Sequence, residues 1–140
     1  MSSNYSALRG KHALVTGGAR GIGAAIARAL AQNGARVSVV SRHPDAVAGA
    51  FTTAAADVTD EADVRAAFAR CREANGPIQI LVSNSGIADS APMVRTSLEM
   101  FDRIVATNLT GTFLSCREAA PDMLAAKWGR ILNVASMAGL

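Results

Sequence analysis

Four short stretches of this 140-residue chain combine residue types and spacings that chemistry can use. The first is TGGARGIG, residues 16–23, between an apolar run and a helical pattern. Backbone N–H groups at a helix N-terminus hold phosphate. Gly17 permits a tight turn out of the strand, while Gly21 and Gly23 remove side chains that would keep a pyrophosphate and the neighbouring strand at a distance. The spacing is G-x-x-x-G-x-G rather than G-x-G-x-x-G, and a tight βα connection would also explain it. Its place at the first βα junction of the chain points to a dinucleotide, with Gly17, Arg20, Gly21, Ile22 and Gly23 as the contacts. The second stretch, SRH at 41–43, lies about 20 residues further on, where a carboxylate would accept a ribose 2′-hydroxyl and an arginine would accommodate a 2′-phosphate. Ser41 and Arg42 stand there, and Arg20 adds a second cation, which favours NADP over NAD. The alternative is a solvated Arg42 with Asp45 binding the ribose, but a carboxylate beside a 2′-phosphate costs electrostatic energy.

The third stretch is Asp57 with Val58, where a carboxylate can accept the adenine amino group; helix initiation is the other use, and Thr59 and Asp60 could serve it. The fourth is SNSG at 83–86, whose Asn84, Ser85 and Gly86 suit a cofactor passing close to the backbone, or a plain turn. Two more polar residues follow apolar or helical patterns, Asn108 in ATNLTGTF and Ser136 in ILNVASMAG. Taken singly, Asn108 would be a polar break between helices and Ser136 a turn cap.

The elements that must position these residues read as alternating strands and helices. HALVTG is a strand, Ile22, Ile26, Ala29 and Leu30 mark a helix face that ends at Asn33-Gly34, and ARVSVVS is a second strand. FTTAAAD is a weak third strand, and Val64, Ala67, Phe68 and Cys71 mark a helix closed by NGP at 75–77. IQILVSN is the fourth strand. Thr96 and Glu99 have capping-box spacing, with Leu98, Phe101 and Val105 as the buried face of the helix that follows. A further helix over about 112–127 contains Pro121, which should bend or break it, and a fifth strand follows Gly129-Arg130. Alternation of this kind predicts a single-domain α/β fold, a Rossmann-type doubly wound parallel sheet of strand order 3-2-1-4-5. Its carboxyl edge brings Asn108 and Ser136 to the side of the glycine loop. The fifth strand would be an apolar edge, so the domain of residues 1–140 is expected to be incomplete at its carboxyl end.

Composition narrows the function classes. Half of the residues are hydrophobic and 18% are charged, so the chain can bury a core. The net charge of +3 comes from scattered arginines rather than a basic run interleaved with aromatics, which disfavours nucleic acid. No segment approaches the length of a membrane span and the N-terminus lacks a signal pattern, which suggests a cytoplasmic protein. Cys71 and Cys116 fall in helical patterns outside any metal-ligand spacing, so packing is their expected role and no metal is expected.

Together these motifs resemble the short-chain dehydrogenase/reductase family, in its classical branch, from Lys11 to Leu140. The family's TGxxxGxG loop matches Thr16, Gly17, Gly21 and Gly23, and its acidic adenine contact matches Asp57. Its N-N-A-G motif matches Asn84 and Gly86, with Ser83 and Ser85 where Asn and Ala are more usual. Its active-site Asn matches Asn108 and its catalytic Ser matches Ser136. The resemblance implies hydride transfer between a nicotinamide and a carbonyl or alcohol carbon by a Ser-Tyr-Lys-Asn tetrad. In such a tetrad Ser136 would hold the substrate oxygen and Asn108 would position the water that connects the Lys to solvent. A phenol of ordinary pKa near 10 needs a neighbouring cation to donate its proton at neutral pH. The family's Tyr-x-x-x-Lys would come after Ser136, whereas the only tyrosine is Tyr5 and the lysines are Lys11 and Lys127. The chain by itself is therefore expected to be inactive, as the amino-terminal part of a reductase or as a noncatalytic NADP-binding module. Within the family the likeness is greatest to 3-oxoacyl thioester reductases, with sugar, cyclic and steroid alcohols as other substrates. It also implies a homo-oligomer, a tetramer with Phe113, Met123 and Trp128 as interface candidates, core packing being their other possible role.

Overall fold

A computed structural model describes residues 7–44, 49 and 51–137. Five parallel strands form one sheet of order β3-β2-β1-β4-β5, the order the alternation of elements predicts. The strands are β1 (His12–Thr16), β2 (Arg36–Ser41), β3 (Thr52–Ala55), β4 (Ile80–Ser83) and β5 (Arg130–Asn133). The helices are α1 (Gly21–Gln32), α2 (Glu61–Asn75), α3 (Leu98–Val105) and α4 (Gly111–Ala126), with a π-helical turn over Ala106–Thr110 between the last two.

Strand side chains alternate between faces, and the central strand β1 is buried throughout. Leu14, Val40 and Leu81 point to one side and pack with Val64, Phe68, Leu114, Ala119 and Met123 of α2 and α4. Ala13, Val15, Val39 and Val82 point to the other and pack with Ala27, Ile26 and Leu30 of α1. Two covered faces explain why the strands read as continuous apolar runs. The exception is the edge strand β5, where Ile131 and Leu132 are exposed.

Several local expectations need correction. Ile22 and Ala29 are exposed on α1, whose buried positions are Gly23, Ala24 and Ala27, with Ile26 and Leu30 half-buried against the same sheet face. The cap of α3 is Ser97, which accepts from the N–H of Met100, while the Thr96 hydroxyl turns back to the carbonyls of Ala91 and Pro92. Leu98 and Phe101 do not form a buried face, and no residue of α3 is buried. Pro121 neither ends nor breaks α4, since Pro121 and Arg117 are both exposed and the carbonyl that loses its donor can meet water. Of the three interface candidates, Phe113 is exposed, Met123 belongs to the core, and Trp128 is half-buried against it between Lys11 and Arg130.

At the amino edge of the sheet, opposite the glycine loop, polar groups replace the core. His12 is fully buried, with Nδ1 2.8 Å from the Gly76 carbonyl and Nε2 2.8 Å from the Ser38 hydroxyl. Asn75 Nδ2 donates to Ser38 and to Thr52. Burial holds the His12 pKa below the ordinary histidine value, with the nearby Arg36 charge acting in the same direction and Asp122 and the Gly76 carbonyl opposing. The unfolded chain thus takes a proton at a pH where the folded chain does not. Stability is complete above the unfolded value of about 6.5 and is lost as pH falls below it. The urea midpoint should drop between about pH 7.5 and 5.5, and His12→Asn should flatten that dependence. An unaltered slope in the variant would assign the effect elsewhere.

Candidate functional site

At the carboxyl edge of the sheet the chain leaves β1 through a turn that only glycine fits. Gly17 has φ +65, and its N–H donates to the Val40 carbonyl at 2.8 Å, which ties the turn to β2. A Cβ on Gly23 would stand 2.5 Å from Asn84 Nδ2 and against the Gly17 carbonyl oxygen, so the first turn of α1 lies directly on the loop. On the other side, Thr16 Oγ1 accepts from the N–H groups of Asn84 and Ser85 at 3.1 and 3.2 Å, and Asn84 Nδ2 donates to the Gly17 carbonyl at 3.2 Å. The glycine loop and the segment after β4 are thereby held as one unit. Asn84 does this strand-joining through its amide, although Ser83 and Ser85 flank it; Ser83 turns instead toward the Thr112 hydroxyl.

A cleft of ≈ 570 Å³ opens above this unit, within the usual size for a small-molecule site. Gly17, Arg20, Gly21, Ile22 and Gly23 line one side; Ser41 and Arg42 stand at the end of β2, Asp57 and Val58 after β3, and Asn84, Ser85 and Gly86 after β4. The structure brings all twelve of these sequence-derived candidates into one lining. The glycine cradle leaves room for a pyrophosphate that a Cβ would deny, so the chain fits a dinucleotide. Asp57 Oδ1 accepts from the backbone N–H and hydroxyl of Thr59, at 2.9 and 2.7 Å, and these bonds hold its carboxyl below the ordinary aspartate range, with a smaller contribution from Arg42. Helix α2 is capped by Asp60, which accepts from the Asp63 N–H, so Asp57 is not needed as the cap. Arg20 and Arg42 are both exposed at the cleft. Asp45 lies outside the described residues.

Asn108 and Ser136 do not line the cleft, although both are at the same edge of the sheet. Asn108 lies in the π turn, a feature common at functional sites. Its side chain pairs with Ile87 in both directions, Oδ1 accepting from the N–H and Nδ2 donating to the carbonyl, each at 2.9 Å. Its own carbonyl accepts from the Thr112 hydroxyl at 2.8 Å. Ser136 is exposed just beyond β5. Burial raises the pKa of the Cys71 thiol and, less deeply placed, that of Cys116, which disfavours the thiolate in both.

Sequence reading overlooked the opposite wall, where Arg103, Ala106 and Thr107 line the cleft at helical spacing, along with Ala19, Ala56 and Thr59. The α3 pattern pointed to its apolar residues, and a signal for Arg103 was available only in its spacing of four from Thr107.

Residues 11–140 match the short chain dehydrogenase family. The chain is 41% identical over 126 residues to the 3-oxoacyl-[acyl-carrier-protein] reductase MabA of Mycobacterium tuberculosis, covering 90% of this chain and 51% of that protein. It is 43% identical over 141 residues to D-threitol dehydrogenase of Mycolicibacterium smegmatis, covering 94% and 54%. The crystal structure of gox2181 superposes with a TM-score of 0.91 at 31% identity, covering 99% of this chain and 58% of that one. The chain thus spans about half the length of the curated relatives it matches. A match over nearly all of its residues, on a sheet with the expected strand order and with the glycine loop at its carboxyl edge, makes this chain a member of the short-chain dehydrogenase/reductase family.

Proposed function

We propose that the protein is a cytoplasmic NADP-dependent oxidoreductase that reduces a 3-oxoacyl thioester or a related ketone, with residues 1–140 forming its dinucleotide-binding domain. The observation that carries this reading is the single cleft that combines the glycine loop, Arg20, Arg42 and Asp57. The nicotinamide cofactor supplies the hydride. Glycine-loop N–H groups bind the pyrophosphate, Arg20 and Arg42 bind the 2′-phosphate, and Asp57 with Val58 orients the adenine. Ser136 holds the substrate oxygen, and Asn108, fixed by Ile87, orders water for proton delivery. Proton donation requires a Tyr-x-x-x-Lys pair, which these residues do not contain, so the segment alone is inactive. The substrate reading is supported by the likeness to MabA.

Incubating full-length protein with acetoacetyl-CoA and NADPH should oxidise the cofactor, and Arg42→Ala should raise the NADPH KM about tenfold while changing that for NADH little. Bound NADPH without oxidation across a panel of ketones would sink the reductase reading and leave a noncatalytic module. The 43% identity to D-threitol dehydrogenase favours a second reading, oxidation of a sugar alcohol, which NADP⁺ reduction with D-threitol would reveal. We further propose a homotetramer whose interface uses the exposed apolar residues Phe101, Phe113 and Leu124. Among the described residues no helix is long and apolar enough to cross a membrane.

A further inference from the structure

One wall of the cleft is helical, and a single long side chain stands on it. Gly111, at the start of α4, lies so close to the end of β3 that a Cβ there would be 2.8 Å from Val58 Cγ2. Thr107 and Arg103 continue the same row at steps of four, and both line the cleft. The row therefore runs from Val58, beside Asp57, along the cleft wall. Ala106 and Thr107 are short, and Arg103 is the one long side chain of the three that line this wall. Its Nη2 donates to Asp89 Oδ2, in the segment that follows Asn84–Gly86, and the Arg103 side chain is still 55% exposed.

We propose that Arg103 is a cofactor-binding residue that covers the adenine ring from the α3 side, and that Asp89 is the positioning residue that aims it. This rests on the dinucleotide reading of the cleft. The phosphates would be served from the other side, by the glycine loop, Arg20 and Arg42. Arg103 shares the cleft with Asp57 and Val58, where a planar base would lie. A guanidinium tethered at one corner presents its flat face, and planar cations stack on π systems. The contact ignores the 2′-phosphate, so it strengthens binding of both dinucleotides equally.

The test is equilibrium binding of NADPH and NADH to full-length protein, with melting midpoints, for the parent, Arg103→Met, Arg103→Lys and Asp89→Asn. Arg103→Met should weaken both dinucleotides by a similar factor, roughly five- to tenfold. Arg103→Lys, which keeps the charge without the plane, should recover only part of the loss. Asp89→Asn should weaken both about twofold to threefold, and melting midpoints should hold. Loss confined to NADPH would make Arg103 a phosphate ligand and overturn the proposal. So would unchanged binding in Arg103→Met, or a fall in melting midpoint that tracks the fall in affinity. A parent protein that binds neither dinucleotide would overturn the dinucleotide reading as well, whereas a binding parent with an unaffected Arg103→Met variant would overturn this inference alone.

Discussion

Replacing Gly23 with alanine is expected to lower NADPH affinity by more than tenfold and to destabilise the protein by about 1–3 kcal/mol. The added methyl would press on the Gly17 carbonyl and on Asn84 Nδ2, which is 3.2 Å from that same carbonyl. Neither neighbour is the end of a flexible chain. Gly17 is held by its bond to Val40, and Asn84 by the Thr16 hydroxyl. Relief must therefore come from moving α1 away from the loop, which spoils the N–H cradle, or from breaking the Asn84 bridge. Fluorescence titration with NADPH and a thermal melt would check both effects. Binding within twofold of the parent at an unchanged melting midpoint would show that the loop is looser than its contacts imply.

Asp122→Ala should cost about 2–4 kcal/mol and leave dinucleotide affinity intact, because it acts at the opposite edge of the sheet. Asp122 Oδ2 accepts from Arg72 Nε at 2.7 Å and from the Ile78 N–H at 2.8 Å, while Arg72 also reaches the side chain and carbonyl of Glu118. The carboxylate thus ties α2, α4 and the approach to β4 together. Burial alone would lower the Arg72 pKa, yet Asp122 and Glu118 more than offset it and raise it. Alanine leaves the N–H of fully buried Ile78 without its acceptor and Arg72 with one carboxylate fewer. Asp122→Asn, which keeps one acceptor oxygen, should lose less. Urea denaturation reads the difference, and a midpoint unchanged in Asp122→Ala would refute the clamp.

The sheet was legible because buried parallel strands leave short apolar-rich runs between polar and turn residues, and β1, β2 and β4 each show one. The glycine-loop side of the cleft was legible for a related reason: its residues lie at or just beyond strand ends, where topology alone brings them together. What escaped were features decided by helix packing. Leu98 and Phe101 have the periodicity of a buried face, but periodicity states that a helix has an apolar side and not what that side meets. Thr96 and Glu99 have box spacing, yet Ser97 one place on offers an equally good oxygen, and the backbone direction out of the 3₁₀ turn at Met93–Arg95 favours it. Pro121 was misleading because its cost depends on whether the orphaned carbonyl is wet, which a sequence does not state.

The π turn between α3 and α4 is in effect a frameshift in a helix. Projected backward at 3.6 residues per turn from the inner positions Gly111, Leu114 and Ser115, the inward position two turns earlier would be Ile104. The wide turn over Ala106–Thr110 contributes about one extra residue, a rotation of roughly 100°, and the position that meets the cleft becomes Arg103. The same residue order thus puts an arginine on the cleft wall where an unshifted helix would have presented an isoleucine, and the phase slip decides the polarity of the surface facing the cleft.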